Sequence, residues 1–208
     1  MCYRKDVTEL LAQRQGLLST LYSCASAGGA GGGKGGMVAG KGGMTKAEGE
    51  MLNLGEWKCL LRGLDLIGPD LSECDATLCF AWSRMVVIDD STARGRLRET
   101  HLPYEGFLEA LCRVSTLMAL PTDAEIEAAS CRDAGAFVEE LKARDGLSYV
   151  SMQQERKVAW GETPPQPEER CVAHLMALVT RRLELRAGSL SMESVRKWCR
   201  QTLALAES

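Results

Sequence analysis

Cysteine and histidine side chains are the groups in this sequence that could bind a metal ion or act as nucleophile and base. The chain has nine cysteines but only two histidines, His101 and His174. The cysteines are spread out, without a C-x-x-C pair, at positions 2, 24, 59, 74, 79, 112, 131, 171 and 199. A zinc site needs ligands paired at short spacing. The pattern therefore predicts reduced cysteines on apolar helix faces and no metal site.

A glycine-rich stretch contains two partial phosphate-binding patterns, Gly28-x4-Gly33-Lys34 and Gly35-x4-Gly40-Lys41. In both, glycine follows the lysine, where a P-loop needs the Ser or Thr that reaches the magnesium ion. No apolar strand precedes either copy, so the strand–loop–helix context of a nucleotide site is missing. We therefore expect no nucleotide or other cofactor to bind here.

Enzyme signatures are also missing from the chain. The sequence has no G-x-S-x-G, H-E-x-x-H or kinase pattern. His101 falls in a polar stretch, and His174 falls beside Val172 and Leu175 on a predicted helix face. These surroundings favour surface or packing roles, and the sequence predicts no catalytic residues.

Charge and hydropathy exclude two classes of partner. The net charge is −3, with Lys and Arg scattered rather than concentrated as a nucleic-acid-binding face requires. No apolar run approaches the roughly 18 residues of a membrane span. The first residues soon become charged and lack the apolar segment of a signal peptide. These features predict an intracellular, cytoplasmic protein without nucleic-acid or membrane partners.

Apolar periodicity predicts helices in the first 120 residues. Residues 25–46 interrupt them, and their glycine content predicts a flexible insertion. Ser72 and Asp75 form a predicted capping box, Gly68-Pro69 is expected to close the second helix, and residues 89–101 are expected to form a polar loop. The predicted helices are 5–24, 54–66, 73–85 and 104–120.

The rest of the chain is also predicted to be helical. Residues 121–162 read as a helical connector, in which Ser130 to Asp133 lead into a helix over 134–144 that Asp145-Gly146 stops. Residues 163–208 read as a proline-rich spacer followed by a helical hairpin, with helices over 168–186 and from Ser191 to about Glu207. The spacer is expected to be stiff and extended.

Two segments repeat the same apolar intervals. Each has a lone leucine, then an aromatic residue that opens a helix face, then two further apolar residues. The matched residues are Leu52, Trp57, Leu61 and Leu64 in the first segment and Leu102, Phe107, Leu111 and Val114 in the second. In these features the chain resembles the EF-hand (calmodulin-like) superfamily, with two hands over about residues 5–118. The resemblance implies an all-α fold whose residues 1–120 form an EF-hand-like pair, with a two-strand bridge through Leu52 and Leu102.

The calcium ligands of that family are mostly absent. An EF-hand loop needs oxygen ligands at positions 1, 3, 5, 7 and 9 and a bidentate Glu at position 12. With Leu52 at position 8, positions 1, 3 and 5 are Thr45, Ala47 and Gly49, and only Glu56 at position 12 remains. With Leu102 at position 8, the corresponding residues are Gly95, Leu97, Glu99 and Gly106. A register starting at Asp90 puts Arg94 at position 5 and His101 at position 12. The pair is therefore expected to be ion-free.

In this family a pair of hands presents an apolar groove that holds a partner's amphipathic helix. The apolar residues at helical spacing are thus candidates for core or for groove, and the methionines are favoured as groove lining. These candidates are Leu52, Trp57, Leu61, Trp82, Met85, Leu102, Phe107, Leu111, Leu117 and Met118. The C-terminal helices either cover this groove in cis or bind a neighbour, and the stiff spacer favours the neighbour.

These observations favour a non-catalytic structural or adaptor protein of an intracellular assembly, which holds a partner helix or a filament surface. The resemblance also raises a ciliary, axonemal or other cytoskeletal setting, because ion-free EF-hand-like modules recur there. The alternative is a calcium-responsive regulatory subunit that binds its ion through an unorthodox loop.

Overall fold

The computed structural model describes residues 4–27, 51–84 and 91–204. These residues are all-helical, as the sequence predicts, and within them the only β-pairing is a single bridge. The predicted glycine-rich insertion beyond residue 27, both partial phosphate patterns, Cys2 and Met85 lie outside the described residues. The described helices are α1 (Lys5–Gln13), α2 (Gln15–Ser26), α3 (Leu54–Gly63), α4 (Glu73–Trp82), α5 (Ala93–Thr100), α6 (Tyr104–Leu117), α7 (Asp123–Ala128), α8 (Ala134–Arg144), α9 (Gly146–Glu155), α10 (Glu168–Ala187) and α11 (Met192–Ala204).

Reciprocal capping boxes begin three of these helices. Asn53 and Glu56 form one before α3, Ser72 and Asp75 form the predicted one before α4, and Thr122 begins α7 in the same way. Each satisfies backbone N–H groups that a helix start leaves without partners. At α8 the prediction was wrong in detail, because Asp133 caps the helix and Ser130 does not.

Several predicted boundaries were also wrong. The helix predicted over 5–24 breaks at Arg14, within an exposed run over 12–16 where no packing holds a continuous helix. α3 ends before Gly68-Pro69, because Asp65 adopts the left-handed conformation (φ 57°) and Leu66 N–H bonds to Leu61 O at 2.9 Å. α4 and α6 end at Trp82 and Leu117, short of the predicted 85 and 120.

The sequence reasoning missed two helices. α5 occupies much of the predicted polar loop over 89–101, and the Thr92 side chain caps it by accepting a hydrogen bond from Gly95 N–H. α9 follows α8 at once, because Asp145 ends one helix and its side chain accepts a hydrogen bond from Ser148 N–H at 3.0 Å. Both begin at a clear cap, but their apolar periodicity is a weak signal.

One hydrophobic core joins all three predicted segments of the chain. α10 packs on α1, α6, α8 and α11, and α11 packs on α2 and α3. Leu175, Leu183 and Val195 are among the C-terminal side chains with no exposed surface. Of the two alternatives that the sequence left open, packing in cis is the one that the structure shows, and binding to a neighbour stays a prediction.

A buried arginine anchors α10 to the rest of the fold. Arg182 is 2% exposed, and its Nε donates to Glu139 Oε1 at 2.9 Å. Its Nη1 donates to the carbonyl oxygens of Leu64 (3.2 Å) and Asp65 (2.5 Å), and its Nη2 donates to Tyr149 Oη at 3.4 Å. One guanidinium thus connects α8, α9 and α10 to the turn after α3, and its charge is compensated inside the protein.

A buried carboxylate connects the neighbouring loops. Asp70 accepts hydrogen bonds from Ala119 N–H at 3.0 Å and from Gln153 Nε2 at 2.7 Å. Burial raises the pKa of Asp70, because desolvation disfavours its charged form more than these donors favour it. The contact joins the α3–α4 loop to α9 and to the segment after α6.

Among the described residues, no helix is both long and apolar enough to cross a membrane.

Candidate functional site

Leu52 and Leu102 pair through their backbones immediately before two helices of the core. Leu52 N–H donates to Leu102 O at 3.0 Å, and Leu102 N–H donates to Leu52 O at 2.8 Å, in antiparallel orientation. Both side chains have no exposed surface. The Tyr22 hydroxyl also donates to Leu102 O at 3.0 Å, so α2 contacts the same point. This pair aligns the starts of α3 and α6 side by side.

An aromatic cluster fills the space between these helices. The Trp57 and Phe107 rings are 6.1 Å apart and nearly perpendicular at 87°. Tyr22 lies 5.5 Å from Phe107 and 5.4 Å from Tyr104, measured between ring centroids. Trp57 Nε1 donates to Ala76 O at 2.9 Å, which satisfies its buried N–H and joins α3 to α4.

Most of the residues predicted as core or groove are buried. The side chains of Leu52, Trp57, Leu61, Leu102, Phe107, Leu111, Leu117 and Met118 are all less than a tenth exposed. Trp82 is the contrast, because 64% of its surface is exposed. Met85 lies outside the described residues. The structure therefore separates Trp82 from the set that the sequence grouped together.

The C-terminal helices pack on α3 and α6, which carry several of the residues predicted as core or groove. α11 approaches α3 so closely that a Cβ on Gly63 would lie 2.7 Å from Thr202 Cγ2 and 3.4 Å from the Trp198 ring. α10 packs on α6, which carries Leu111 and Leu117. The parts of α3 and α6 that meet α11 and α10 are therefore covered within the chain.

A groove of about 440 Å³ lies beside the exposed tryptophan, and we call it the Trp82 groove. α4 and α6 meet closely at its floor, where a Cβ on Gly106 would lie 2.7 Å from Ser83 O. Arg113 donates to Glu109 Oε1 at 2.7 Å and to Ser83 Oγ at 3.1 Å, which compensates the Glu109 charge. The residues that line the Trp82 groove are Trp82, Ser83, Arg84, Pro103, Glu105, Gly106 and Glu109.

Two further cavities, of about 560 and 340 Å³, are both lined in part by Glu162 and Thr163. The larger is lined in part by Glu125 and Arg156, which form an ion pair. The Arg156 guanidinium lowers the pKa of Glu125 to about 2, so this carboxylate is not poised for proton transfer near neutral pH. The smaller one is lined by Trp160, which is 39% exposed.

The second EF-hand-like loop, which the sequence predicts to be ion-free, is largely helical. Gly95, Leu97 and Glu99, the residues predicted at ligand positions 1, 3 and 5, all lie in α5. In a helix, side chains project in different directions around the axis and the carbonyl groups accept hydrogen bonds within the helix. In an EF-hand loop, by contrast, several oxygen atoms point towards one ion. Within the ranges that the structure describes, no group of three or more His, Cys, Asp or Glu side chains could hold a metal ion.

The two histidines differ in their surroundings. His174 is buried on α10, with Nε2 at 3.3 Å from Asp123 Oδ1, and burial lowers its pKa. His101 follows α5, and partial burial lowers its pKa too. His101 Nδ1 lies 2.9 Å from the hydroxyl oxygen of the neighbouring Thr100.

Sequence reasoning missed one pair of chemically active residues. The thiols of Cys24 on α2 and Cys199 on α11 are hydrogen-bonded to each other. No sequence spacing signals such a pair, because it depends on how α11 packs against α2. Comparisons of the chain with protein-family models, curated proteins and solved structures find no match.

Proposed function

We propose that this chain is a non-catalytic protein-binding component of an intracellular assembly, and that it binds its partner through the Trp82 groove. The observation that carries the proposal is the 64% exposure of Trp82, beside a groove of about 440 Å³. A large aromatic side chain exposed on a folded surface costs hydration free energy that binding recovers, and tryptophan is enriched at binding hot spots.

We further propose that the scaffold is an EF-hand-like pair that works without calcium. The order of helices supports this: α2 and α3 flank the first loop, α4 and α6 flank the second, and the Leu52–Leu102 pair precedes both exiting helices. Calcium-responsive regulation, the alternative function, needs a second loop free to coordinate the ion. α5 occupies that loop, which favours the ion-independent proposal.

The chemistry of the groove suggests the kind of partner. Trp82 offers an apolar ring, and Glu105 is an exposed carboxylate at the start of α6. Glu109 is already neutralised by Arg113. An amphipathic helix with an apolar side chain for Trp82 and a lysine or arginine for Glu105 fits this arrangement. A filament subunit or an adaptor of a ciliary or cytoskeletal assembly could supply such a helix.

The cysteines support an intracellular setting. The eight within the described residues form no disulfide, and Cys79 and Cys171 are among those that are buried. Free thiols persist in reducing compartments, whereas secreted proteins form disulfides. We therefore propose the cytoplasm, and an axonemal or other cytoskeletal assembly within it, as the place where the protein acts.

The test compares Trp82→Ala with Leu147→Ala in quantitative affinity capture from native extract. Leu147 is a suitable control because it is 85% exposed and lies on α9, away from the groove. Loss of a tryptophan hot spot should lower the recovery of the specific partner by a factor of about 30, corresponding to about 2 kcal/mol. Leu147→Ala should leave recovery unchanged.

Both variants must retain the circular dichroism spectrum and melting temperature of the original chain. Equal recovery of every captured protein by Trp82→Ala and the original chain would refute the groove as the binding surface. A charge-reversal variant, Glu105→Lys, should weaken the same interaction if a basic residue of the partner lies near this carboxylate.

A further inference from the structure

Two cysteines from opposite ends of the chain lie next to each other in the fold. Cys24 is in the last turn of α2 and Cys199 is in α11, two helices that pack directly together. Their thiols are hydrogen-bonded. Cys199 has no exposed surface, whereas Cys24 is half-buried and reachable from solvent.

The electrostatic surroundings divide the two thiols into different roles. The hydrogen bond from Cys199 and the positive charges of Arg196 and Arg200 lower the pKa of Cys24, against the opposing effect of burial. Cys24 is at the C-terminal end of α2, where the helix dipole disfavours an anion. The hydrogen bond and the two arginine charges must therefore outweigh the dipole as well as burial to favour the Cys24 thiolate. The hydrogen bond to Cys24 and burial raise the pKa of Cys199. Cys24 thus has the properties of an attacking thiolate and Cys199 those of a resolving thiol.

Cys131, another partly exposed cysteine, lies in surroundings that do not favour a thiolate. Cys131 Sγ lies 3.5 Å from Glu140 Oε2, and partial burial and this carboxylate raise the pKa of Cys131. Its thiol is accessible but held in the protonated, unreactive form. Exposure alone therefore does not explain the reactivity expected of Cys24.

We propose that Cys24 and Cys199 form a redox-sensitive dithiol, which hydrogen peroxide or an organic hydroperoxide oxidises to a disulfide that ties α11 to α2. The inference rests on the positions of these two side chains and is independent of the Trp82 groove.

The reaction balances in two steps. The Cys24 thiolate attacks one peroxide oxygen, an S–O bond forms, the O–O bond breaks, and the hydroxide that leaves takes a proton to become water. Cys199 then attacks the sulfur of the Cys24 sulfenic acid, an S–S bond forms, the S–O bond breaks, and the hydroxyl leaves as water with the Cys199 proton. Two thiols lose two electrons in total, and one peroxide is reduced to two waters.

The disulfide would fix the C-terminal helix covalently to the N-terminal part of the core. α11 covers α2 and α3, so its detachment would uncover their apolar faces. Reduction of the disulfide by a dithiol would again allow α11 to detach. The oxidised chain should melt roughly 5–10 °C higher than the reduced chain, because the bond closes a very long loop and restricts the unfolded state.

The experiment treats the full reduced chain with a small excess of hydrogen peroxide and maps disulfides by differential alkylation and peptide mass spectrometry. We expect a Cys24–Cys199 peptide pair that dithiothreitol reverses. On the reduced chain at pH 7, alkylation of Cys24 should be at least about tenfold faster than that of Cys131, in line with their thiolate fractions. This comparison requires no substitution and so no refolded variant.

Variants then separate the two roles. In Cys199→Ser, dimedone should trap a sulfenic acid at Cys24, whereas Cys24→Ser should give none at Cys199. Replacing Arg196 and Arg200 by Gln should slow oxidation of Cys24, Lys at both positions should preserve it, and Arg14→Gln, an exposed control, should not alter it. Pairing of Cys24 with another thiol instead, Cys2 included, or alkylation of Cys24 no faster than that of Cys131, would overturn the proposal.

Discussion

Trp57 and Phe107 contact each other edge to face, with ring centroids 6.1 Å apart and an interplanar angle of 87°. Both open helices that begin just after the Leu52–Leu102 pair, and both side chains are almost completely buried. This geometry brings the positive edge of one ring to the negative face of the other. The contact therefore adds to the hydrophobic stabilisation between α3 and α6.

Truncating either ring should be strongly destabilising. Trp57→Ala and Phe107→Ala should each lower the free energy of unfolding by about 3–5 kcal/mol, because each leaves a large cavity. The double variant should show a coupling of about 0.5–1.5 kcal/mol in a urea-unfolding cycle. Trp82→Ala is the matched control, and should cost less than about 0.5 kcal/mol because that ring is 64% exposed. Equal costs at positions 57 and 82 would contradict the assigned burial.

Removing the buried guanidinium of Arg182 should be costly. Arg182→Met leaves Glu139 and the carbonyl groups of Leu64 and Asp65 without their donor, so we expect a loss of about 3–5 kcal/mol by urea unfolding. The neighbouring Arg181 is 36% exposed at its side chain and pairs with Glu184 at 3.4 Å. Arg181→Met should cost about 1 kcal/mol or less, and a similar value for Arg182→Met would show that its network contributes little.

The Glu125–Arg156 ion pair should make the free energy of unfolding depend on pH in the acid range. The pKa of Glu125 is lowered in the folded chain to about 2, below its ordinary value of 4.5. Its contribution is therefore fully present above pH 4.5 and is lost as pH falls towards 2. Because the two side chains are 31% and 36% exposed, we expect only about 1 kcal/mol after solvent screening.

Urea unfolding at pH 2.5–7 would measure this contribution. Glu125→Gln should remove about 1 kcal/mol at pH 7 and flatten the profile between pH 4.5 and 2.5. Glu127→Gln is the control, because Glu127 is exposed on the same helix. An unchanged pH profile in Glu125→Gln would assign the acid sensitivity to other groups.

Calcium should leave the folded chain unaffected. The residues at the predicted ligand positions 1, 3 and 5 of the second loop lie in α5, and position 12 is Gly106, which has no carboxylate. Only a ligand that prefers the native state raises the melting temperature, so 2 mM calcium should give the same melting curve as EDTA. A rise of several degrees with calcium but not with magnesium would instead support the calcium-responsive alternative.

Deleting the C-terminal helices should unfold the chain. A chain ending at Glu162 loses α10 and α11 and exposes the core residues that Leu175, Leu183 and Val195 cover. We expect loss of cooperative thermal unfolding, because no remaining element can cover that face. A chain ending at Ala204 keeps every described helix and should melt normally. Cooperative melting of the shorter chain would show that residues before 163 fold as an independent unit.

The sequence predicted features that depend on nearby residues. The capping residues Ser72 and Asp75 are in place because the hydrogen bonds that begin a helix form within one turn. The repeated intervals also marked Leu52 and Leu102 as the residues that precede two helices. α5 and α9 were missed for the same local reason, since their caps are clear but their apolar periodicity is weak.

Only the tertiary structure decided which apolar residues are buried and which side chains meet. Trp57 and Trp82 have the same helical spacing signal, yet one is in the core and the other on the surface, because burial depends on which helix faces come together. The packing of α11 on α2 brought Cys24 to Cys199, and that of α10 brought Arg182 to Asp65. A single sequence determines its helices through short-range bonds, but these contacts arise from packing between segments far apart in the chain.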